Sequence, residues 1–308
     1  MGYDRTDPRS SLTPAGSARA VGANVAPQYF EFGTMPAADV AETGTRTWWI
    51  RSQSTVVAYS EAAAGDALAR RAQPDEYVIL LHDPATNAQV TAGNECVEVS
   101  GRAIVVVPPG QSMLRLSSGG VAVRLFTTRS ADLCARCSNN AFYDTPDPNV
   151  APFEPWPDPP DGPRIRAYAI DDVAPDQNRF GRIYRCSTFM VNYFYDAPGP
   201  RDPAKLSPHH HDDFEQISLQ LGGDWVHHVR TPWTTDLAQW RDDEHRFCAS
   251  PSATVIPPPS IHTSQAVGDA SHHLIDVFCP PRLDFSARPG WVLNAEEYPA
   301  PTGLAADR

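Results

Sequence analysis

Proline interrupts this chain too often for long helices to form. Thirty-one prolines are spread over 308 residues, and each one inside a helix removes a hydrogen bond and clashes with the preceding turn. Between them lie short runs rich in β-branched and apolar residues: EYVILLHD at 76–83, ECVEVSG at 95–101, AIVVVPPG at 103–110 and MLRLSSGGVAVRLFTT at 113–128. Asn, Gly, Pro, Asp and Ser punctuate them. Strands at such regular spacing predict a β-barrel or sandwich. Residues 28–60 predict one or two further strands. Their doublet Trp48-Trp49 cannot face a single core, because neighbouring strand residues point to opposite sides. Residues 61–72, EAAAGDALARRA, read as a short helix, and TTDLAQWRDDEHRF at 234–247 as a short helix or lid.

Composition narrows the function. A hydrophobic fraction of 41% suits a globular chain, and no apolar run approaches the ~20 residues of a membrane span. The net charge of −12 would repel a nucleic-acid backbone. Expected partners are therefore a small-molecule substrate, with no nucleic acid and no membrane. Residues 1–27 are rich in Ser, Ala, Gly and Pro and read as a loose tail rather than a signal peptide. With six cysteines and no export signal, a cytoplasmic location with reduced thiols is expected. Cys134-x-x-Cys137 invites a redox or zinc reading, but no second such pair and no nearby histidine accompanies it.

Chemistry concentrates in two stretches, SPHHHDDFEQISLQLG at 207–222 and VIPPPSIHTSQ at 255–265. His209 and His211 are two apart, so on a strand their imidazoles share a face. His210 then points to the other face. Asp212-Asp213 reads as a tight turn, and Glu215 opens the alternating run Ile217, Leu219, Leu221. His262 follows a proline-rich turn. Three imidazoles and one carboxylate, from His209, His211, Glu215 and His262, form a ligand set for one divalent ion such as Fe, Mn, Zn, Ni or Cu.

The pattern His209-x-His211, three residues, Glu215, six residues, Gly222 resembles the first motif of the cupin superfamily. Pro257-x-x-x-x-His262 resembles the second, with Pro259 where the family usually has glycine, a change in the turn rather than in the ligand. A repeat extends the likeness. With prolines as anchor, residues 108–113 lie over 257–262, and residues 70–81 lie over 209–220. Glu76 then matches Glu215, while Arg70, Ala72 and Met113 stand where the later copy has His209, His211 and His262. Such a trio cannot hold a hard divalent ion.

The resemblance implies an all-β fold of two cupin-type (jelly-roll) β-barrels in tandem with few short helices, metallated in the C-terminal barrel only. The expected division is a tail at 1–27, a degenerate barrel at 28–143, a Pro-rich linker at 144–163 and a metal-binding barrel at 164–308. The linker should run extended and lie against a barrel through Phe153 and Trp156. Within the second barrel, residues 189–195 should form a strand beside the histidines, with Asn192 and Phe194 or Tyr193 and Tyr195 facing the cavity. Residues 224–247 form a longer loop that opens as a strand, with His228 and Arg230 on one face. These two are the candidate catalytic residues, expected just behind the ligands. His227 and His245 are expected to be exposed or hydrogen-bonded, the His272-His273 pair solvent-facing, and the Trp291 segment wrapped on a barrel.

Three functions fit the resemblance: isomerase or lyase chemistry on a hydroxy-keto or sugar acid, an Fe(II)-dependent dioxygenase, and a non-enzymatic small-molecule-binding cupin. The first is preferred. Cupins also commonly pair through barrel faces, which leaves a homodimer open.

Overall fold

A computed structural model describes residues 23–301. The tail expected at 1–27 lies largely outside the described residues. The rest is built from short antiparallel strands arranged as two barrels, each with one large and one small sheet. In the earlier barrel the large sheet runs Arg166–Ala169, Ala103–Val107, Tyr77–Leu81, Gly120–Thr127, Thr55–Ala62, Arg46–Arg51, Asp39–Val40, and the small one Ala67–Gln73, Gly110–Leu116, Asn87–Ala92, Glu95–Ser100. In the later barrel the large sheet runs Gln28–Glu31, Ser252–Ile256, Gln216–Gly222, Ser271–Phe278, Met190–Phe194, Gly181–Arg185, with Ala197–Pro198 paired to Ser271–Phe278. Its small sheet is Glu244–Ala249, Asp224–Arg230, Ile261–Val267.

The barrels exchange strands. Gln28–Glu31, early in the chain, pairs with Ser252–Ile256 of the later barrel. Arg166–Ala169, beyond the proline-rich segment, pairs with Ala103–Val107 of the earlier one. Each barrel thus carries an edge strand from the other half of the sequence, and each swap covers an edge that would otherwise present unpaired backbone groups.

Residue alternation explains the packing. In Tyr77–Leu81, Val78 and Leu80 face the apolar layer between the two large sheets, while Tyr77, Ile79 and Leu81 fill the earlier barrel. Both faces are buried, so the strand reads as a continuous apolar run. The tryptophan doublet divides the same way, Trp48 into the layer between barrels and Trp49 into the earlier barrel. At roughly 1.5–3 kcal/mol for each large apolar side chain fully buried, this shared layer couples the barrels strongly.

The later barrel differs on its inner face. Ile217 and Leu219 of Gln216–Gly222 join the layer between barrels, whereas Gln216, Ser218 and Gln220, all buried, have the opposite parity. Their cross-strand neighbours Thr254, Ser252 and Asp276 are buried and polar as well. The earlier barrel is filled mainly by apolar side chains, with Arg124 buried among them against Trp49 and Phe126; the later one holds a polar interior and a cavity.

Residues 61–72 depart from expectation. Instead of a helix they form the end of Thr55–Ala62, a turn and most of Ala67–Gln73. Gly65 takes φ +78 there, a left-handed conformation that suits glycine in a turn, and tertiary pairing overrides the helix propensity of the alanines. The proline-rich segment does lie on the protein: Trp156 is buried, its N–H donates to the Ser187 carbonyl at 2.7 Å, and Ala151 N–H donates to Asp213 at 2.8 Å. Trp291 packs edge-on to Phe285 and Phe180, holding the C-terminal segment against the later barrel.

Candidate metal centre

Two strand ends meet at the histidines. His209 and His262 exchange backbone hydrogen bonds, His209 N–H to His262 O at 3.0 Å and His262 N–H to His209 O at 2.7 Å, as an isolated antiparallel bridge. The turn before His262 is closed by Ser260 N–H donating to Pro257 O at 3.1 Å, so Pro259 leaves the turn intact. One ring nitrogen each of His209, His211 and His262 lies within 4.8 Å of the others.

The tautomers follow from the neighbours. His209 Nδ1 sits 2.9 Å from Ser207 O, and His262 Nδ1 sits 2.9 Å from Ser260 O. A carbonyl only accepts, so each Nδ1 carries the proton and each Nε2 is left with a lone pair, the arrangement that orients metal-ligating imidazoles. His262 Nε2 is buried and has no hydrogen-bond partner. Burial pushes His262 down to about 4 and His211 well below the usual histidine range, so both rings are neutral, as ligation requires. An orphaned buried nitrogen beside two further imidazoles fits a divalent ion.

Glu215, the expected fourth ligand, does not join them. It crosses to the earlier barrel, where its carboxylate accepts the Gln53 N–H and, at 3.0 Å, the Tyr143 hydroxyl. Burial raises its pKa to about 7 against the pull of those two donors. The reason is parity: Glu215 shares its side of the strand with Ile217 and Leu219, which face the other barrel. Gln216 takes the inner position, its Oε1 2.8 Å from His211 Nε2. Alternation held the signal that would have found it, since Gln216, Ser218 and Gln220 are the polar members of the strand. Glu76, aligned with Glu215 by the repeat, does the reciprocal job. It accepts from Ser187 N–H at 3.0 Å, Ser187 Oγ at 2.6 Å and the Tyr298 hydroxyl at 2.8 Å, all from the later half of the chain. What the repeat preserves at this position is a strut between barrels.

A hydrogen-bond chain sets the Gln216 amide. Ser218 Oγ donates to Asp276 Oδ1 at 2.6 Å and accepts from Gln216 Nε2 at 2.9 Å. An ionised carboxylate only accepts, so the hydroxyl must give its proton to Asp276 and receive the amide N–H. Gln216 Oε1 is thereby turned toward His211. A cavity of about 330 Å³ opens from this point, lined by His209, Gln216, His262 and Asp276 and walled by Phe180, Phe194, Tyr195, Pro198, Trp225 and Leu274.

The two candidate catalytic residues lie elsewhere. Trp225, His227 and Val229 point into the barrel, so His228 and Arg230, of opposite parity, point out. His228 meets His245 at 2.8 Å and Gln265 at 3.0 Å, and exposed Arg230 pairs with Asp243. His227 is fully buried and bonds Ser264 Oγ at 3.0 Å. His210 turns toward Asp212 at 3.4 Å. Of the His272-His273 pair, expected in solvent, His272 is buried and lines the cavity; the strand Ser271–Phe278 extends through both residues and turns His272 inward. In the earlier barrel Arg70 is engaged by Asp132 and Gln73. Cys134 and Cys137 are buried free thiols whose pKa values burial raises, Cys137 to about 12; a reactive thiol needs the opposite shift.

No family model and no curated protein matches the chain. Solved structures do match. The oxalate decarboxylase of Lactobacillus farciminis in its formate complex superposes with a TM-score of 0.57 at 14% identity, covering 85% of this chain and 88% of that one. The Bacillus subtilis oxalate decarboxylase at pH 4.6 gives 0.53 at 12% identity, covering 89% and 81%. A further oxalate decarboxylase structure, concerned with substrate binding mode, gives 0.55 at 13%, covering 95% and 85%. At such identities the likeness is one of fold: two cupin-type barrels in tandem, as expected. Among the described residues, no helix is long and apolar enough to cross a membrane.

Proposed function

We propose that this protein is a metal-dependent enzyme acting on a small oxygen-rich acid, with one divalent ion in the later barrel held by His209, His211, His262 and Gln216. The observation that carries the reading is His262 Nε2, buried without a partner beside two other imidazoles. Leaving such a nitrogen unpaired costs about 1–3 kcal/mol, a cost a ligated ion removes. Bound there, the ion supplies Lewis acidity to a chelated carbonyl or carboxylate. Imidazole suits Fe, Mn, Zn, Ni and Cu alike; which of these the site takes is a matter for metal analysis.

The surrounding residues favour isomerase or lyase chemistry on a hydroxy-keto acid. All four donors are neutral, so the ion keeps its full charge and favours an anionic substrate. Ser207 and Ser260 carbonyls hold the imidazoles in one orientation, and Asp276, on the cavity wall, stands within reach of a substrate proton. The oxalate decarboxylases that share the fold are named for a lyase reaction on a small acid, in keeping with this reading.

Anaerobic purification followed by metal analysis tests it. Wild type should carry close to one equivalent of a divalent ion, and His262→Ala should lose it while remaining folded. Wild type that neither retains nor takes up a divalent ion would refute the proposal. Oxygen uptake with a diketone or catechol would instead favour the dioxygenase, and ligand binding unaffected by His211→Ala the non-enzymatic module.

A further inference from the structure

Two further histidines meet on the outer face of the later barrel's small sheet. His228 and His245 are opposed directly across Asp224–Arg230 and Glu244–Ala249. Both point away from the barrel and neither lines the cavity. Their Nδ1 atoms lie 2.8 Å apart, with the rings at 63° to each other. His228 is half-buried and His245 exposed, so solutes reach the pair. Gln265 Oε1 lies 3.0 Å from His228 Nε2. An amide oxygen only accepts, so that Nε2 carries the proton and Nδ1 a lone pair. An imidazole whose other N–H is tied to an oxygen is in the form that holds a metal. Without an ion, His245 Nδ1 donates its proton to His228; with that proton on Nε2 instead, both Nδ1 lone pairs serve one gap.

The spacing selects the ion. At about 2.0–2.1 Å per metal–nitrogen bond, two nitrogens at a right angle around an ion stand about 2.8–3.0 Å apart, and at a tetrahedral angle about 3.3–3.4 Å. The observed 2.8 Å matches the right angle. Adjacent nitrogen donors so placed suit a tetragonal ion, Cu(II) or Ni(II), rather than tetrahedral Zn(II). The location gives the ion something to hold. Residues 231–243 leave and rejoin the sheet just beyond the pair, and at their base Arg230 Nε lies 3.0 Å from both Asp243 carboxylate oxygens. Within this loop, exposed Trp233 and Trp240 stack at 4.3 Å. An ion held by both strands would close the base more firmly than that exposed ion pair, which contributes little.

We propose that His228 and His245 form a second metal site, outside the cavity, which takes one Cu(II) or Ni(II) ion through the two Nδ1 atoms and staples the base of loop 231–243. The site is independent of any ion held by His209, His211 and His262.

Cu(II) is the probe, added to full-length protein that carries no affinity tag and has been stripped with EDTA. Equilibrium dialysis should show wild type holding one equivalent more than His228→Gln or His245→Ala. The same difference should appear in a His262→Ala background, where the cavity site is impaired. Affinity for this equivalent should fall at least about tenfold in each single variant, since losing even an outer partner of a ligand costs that much. In the His262→Ala background, copper EPR should show coupling to two imidazole nitrogens, reduced to one by His245→Ala. Copper should also slow chymotryptic cleavage at Trp233 and Trp240 several-fold, and should not do so in His228→Gln. Equal copper binding with and without either histidine, or nitrogen coupling unchanged by His245→Ala, would overturn the site. Copper held by both histidines without slower cleavage would overturn the staple. Failure of the cavity reading shows separately, as copper binding that His262→Ala leaves unchanged.

Discussion

Replacing Glu215 by alanine separates its two readings, ligand and strut. The carboxylate is buried between barrels and accepts two donors from the earlier half, the Gln53 N–H and the Tyr143 hydroxyl. Truncation strands both. A buried donor left unsatisfied costs about 1–3 kcal/mol, so the gross loss for two is about 2–6 kcal/mol. One thing reduces it: a carboxyl pushed up to about 7 is already costly to keep ionised at neutral pH. A net loss of about 2–3 kcal/mol at pH 7 is expected. Urea unfolding followed by tryptophan fluorescence measures it, alongside metal content at matched protein concentration. Glu76→Ala, which strands Ser187 N–H, Ser187 Oγ and the Tyr298 hydroxyl, should cost at least as much. Unchanged stability together with lost metal in Glu215→Ala would show the carboxylate to be a ligand and overturn the parity argument.

Ser218→Ala removes the hydroxyl that orients the Gln216 amide, and metal affinity measured by competition with a chelating dye should fall about 10- to 100-fold. In a Gln216→Glu background the same change should matter little, because either carboxylate oxygen can face His211. His227 gives the pH dependence. Burial holds it at about 3, below its ordinary 6.5, so between those values the unfolded chain binds a proton that the folded one does not. Stability therefore rises with pH through this window and is lost as pH falls below about 6.5. His227→Leu should make this acid limb shallower in denaturation curves recorded with metal chelated, leaving the share due to His211 and His262, and an unchanged limb would refute the assignment.

Alternation and motif spacing reached most of the fold. Short runs between proline-rich turns do form strands, Trp48 and Trp49 do take opposite sides, and the repeat does correspond to two barrels. The same rule, applied strictly, contained the correction at the site. Glu215 belongs to the parity of Ile217 and Leu219, and His228 and Arg230 to the outward parity of their strand. Motif spacing drew attention to the acidic residue, and the chemistry sat one position later. Residues 61–72 misled because alanine-rich composition states a local preference, and the pairing partners that override it are distant in sequence.

Sequence alone determined that the chain is all-β and that His209, His211 and His262 belong together, because periodicity and motif spacing are local properties that survive without coordinates. Tertiary structure decided which face of each strand meets hydrocarbon, which meets the other barrel and which meets the cavity. That choice depends on what packs against a strand, and here both flanking layers come from parts of the chain more than a hundred residues apart, including the exchanged strands Gln28–Glu31 and Arg166–Ala169. Glu215 became a strut, Gln216 a neighbour of His211 and His272 a wall of the cavity for that one reason.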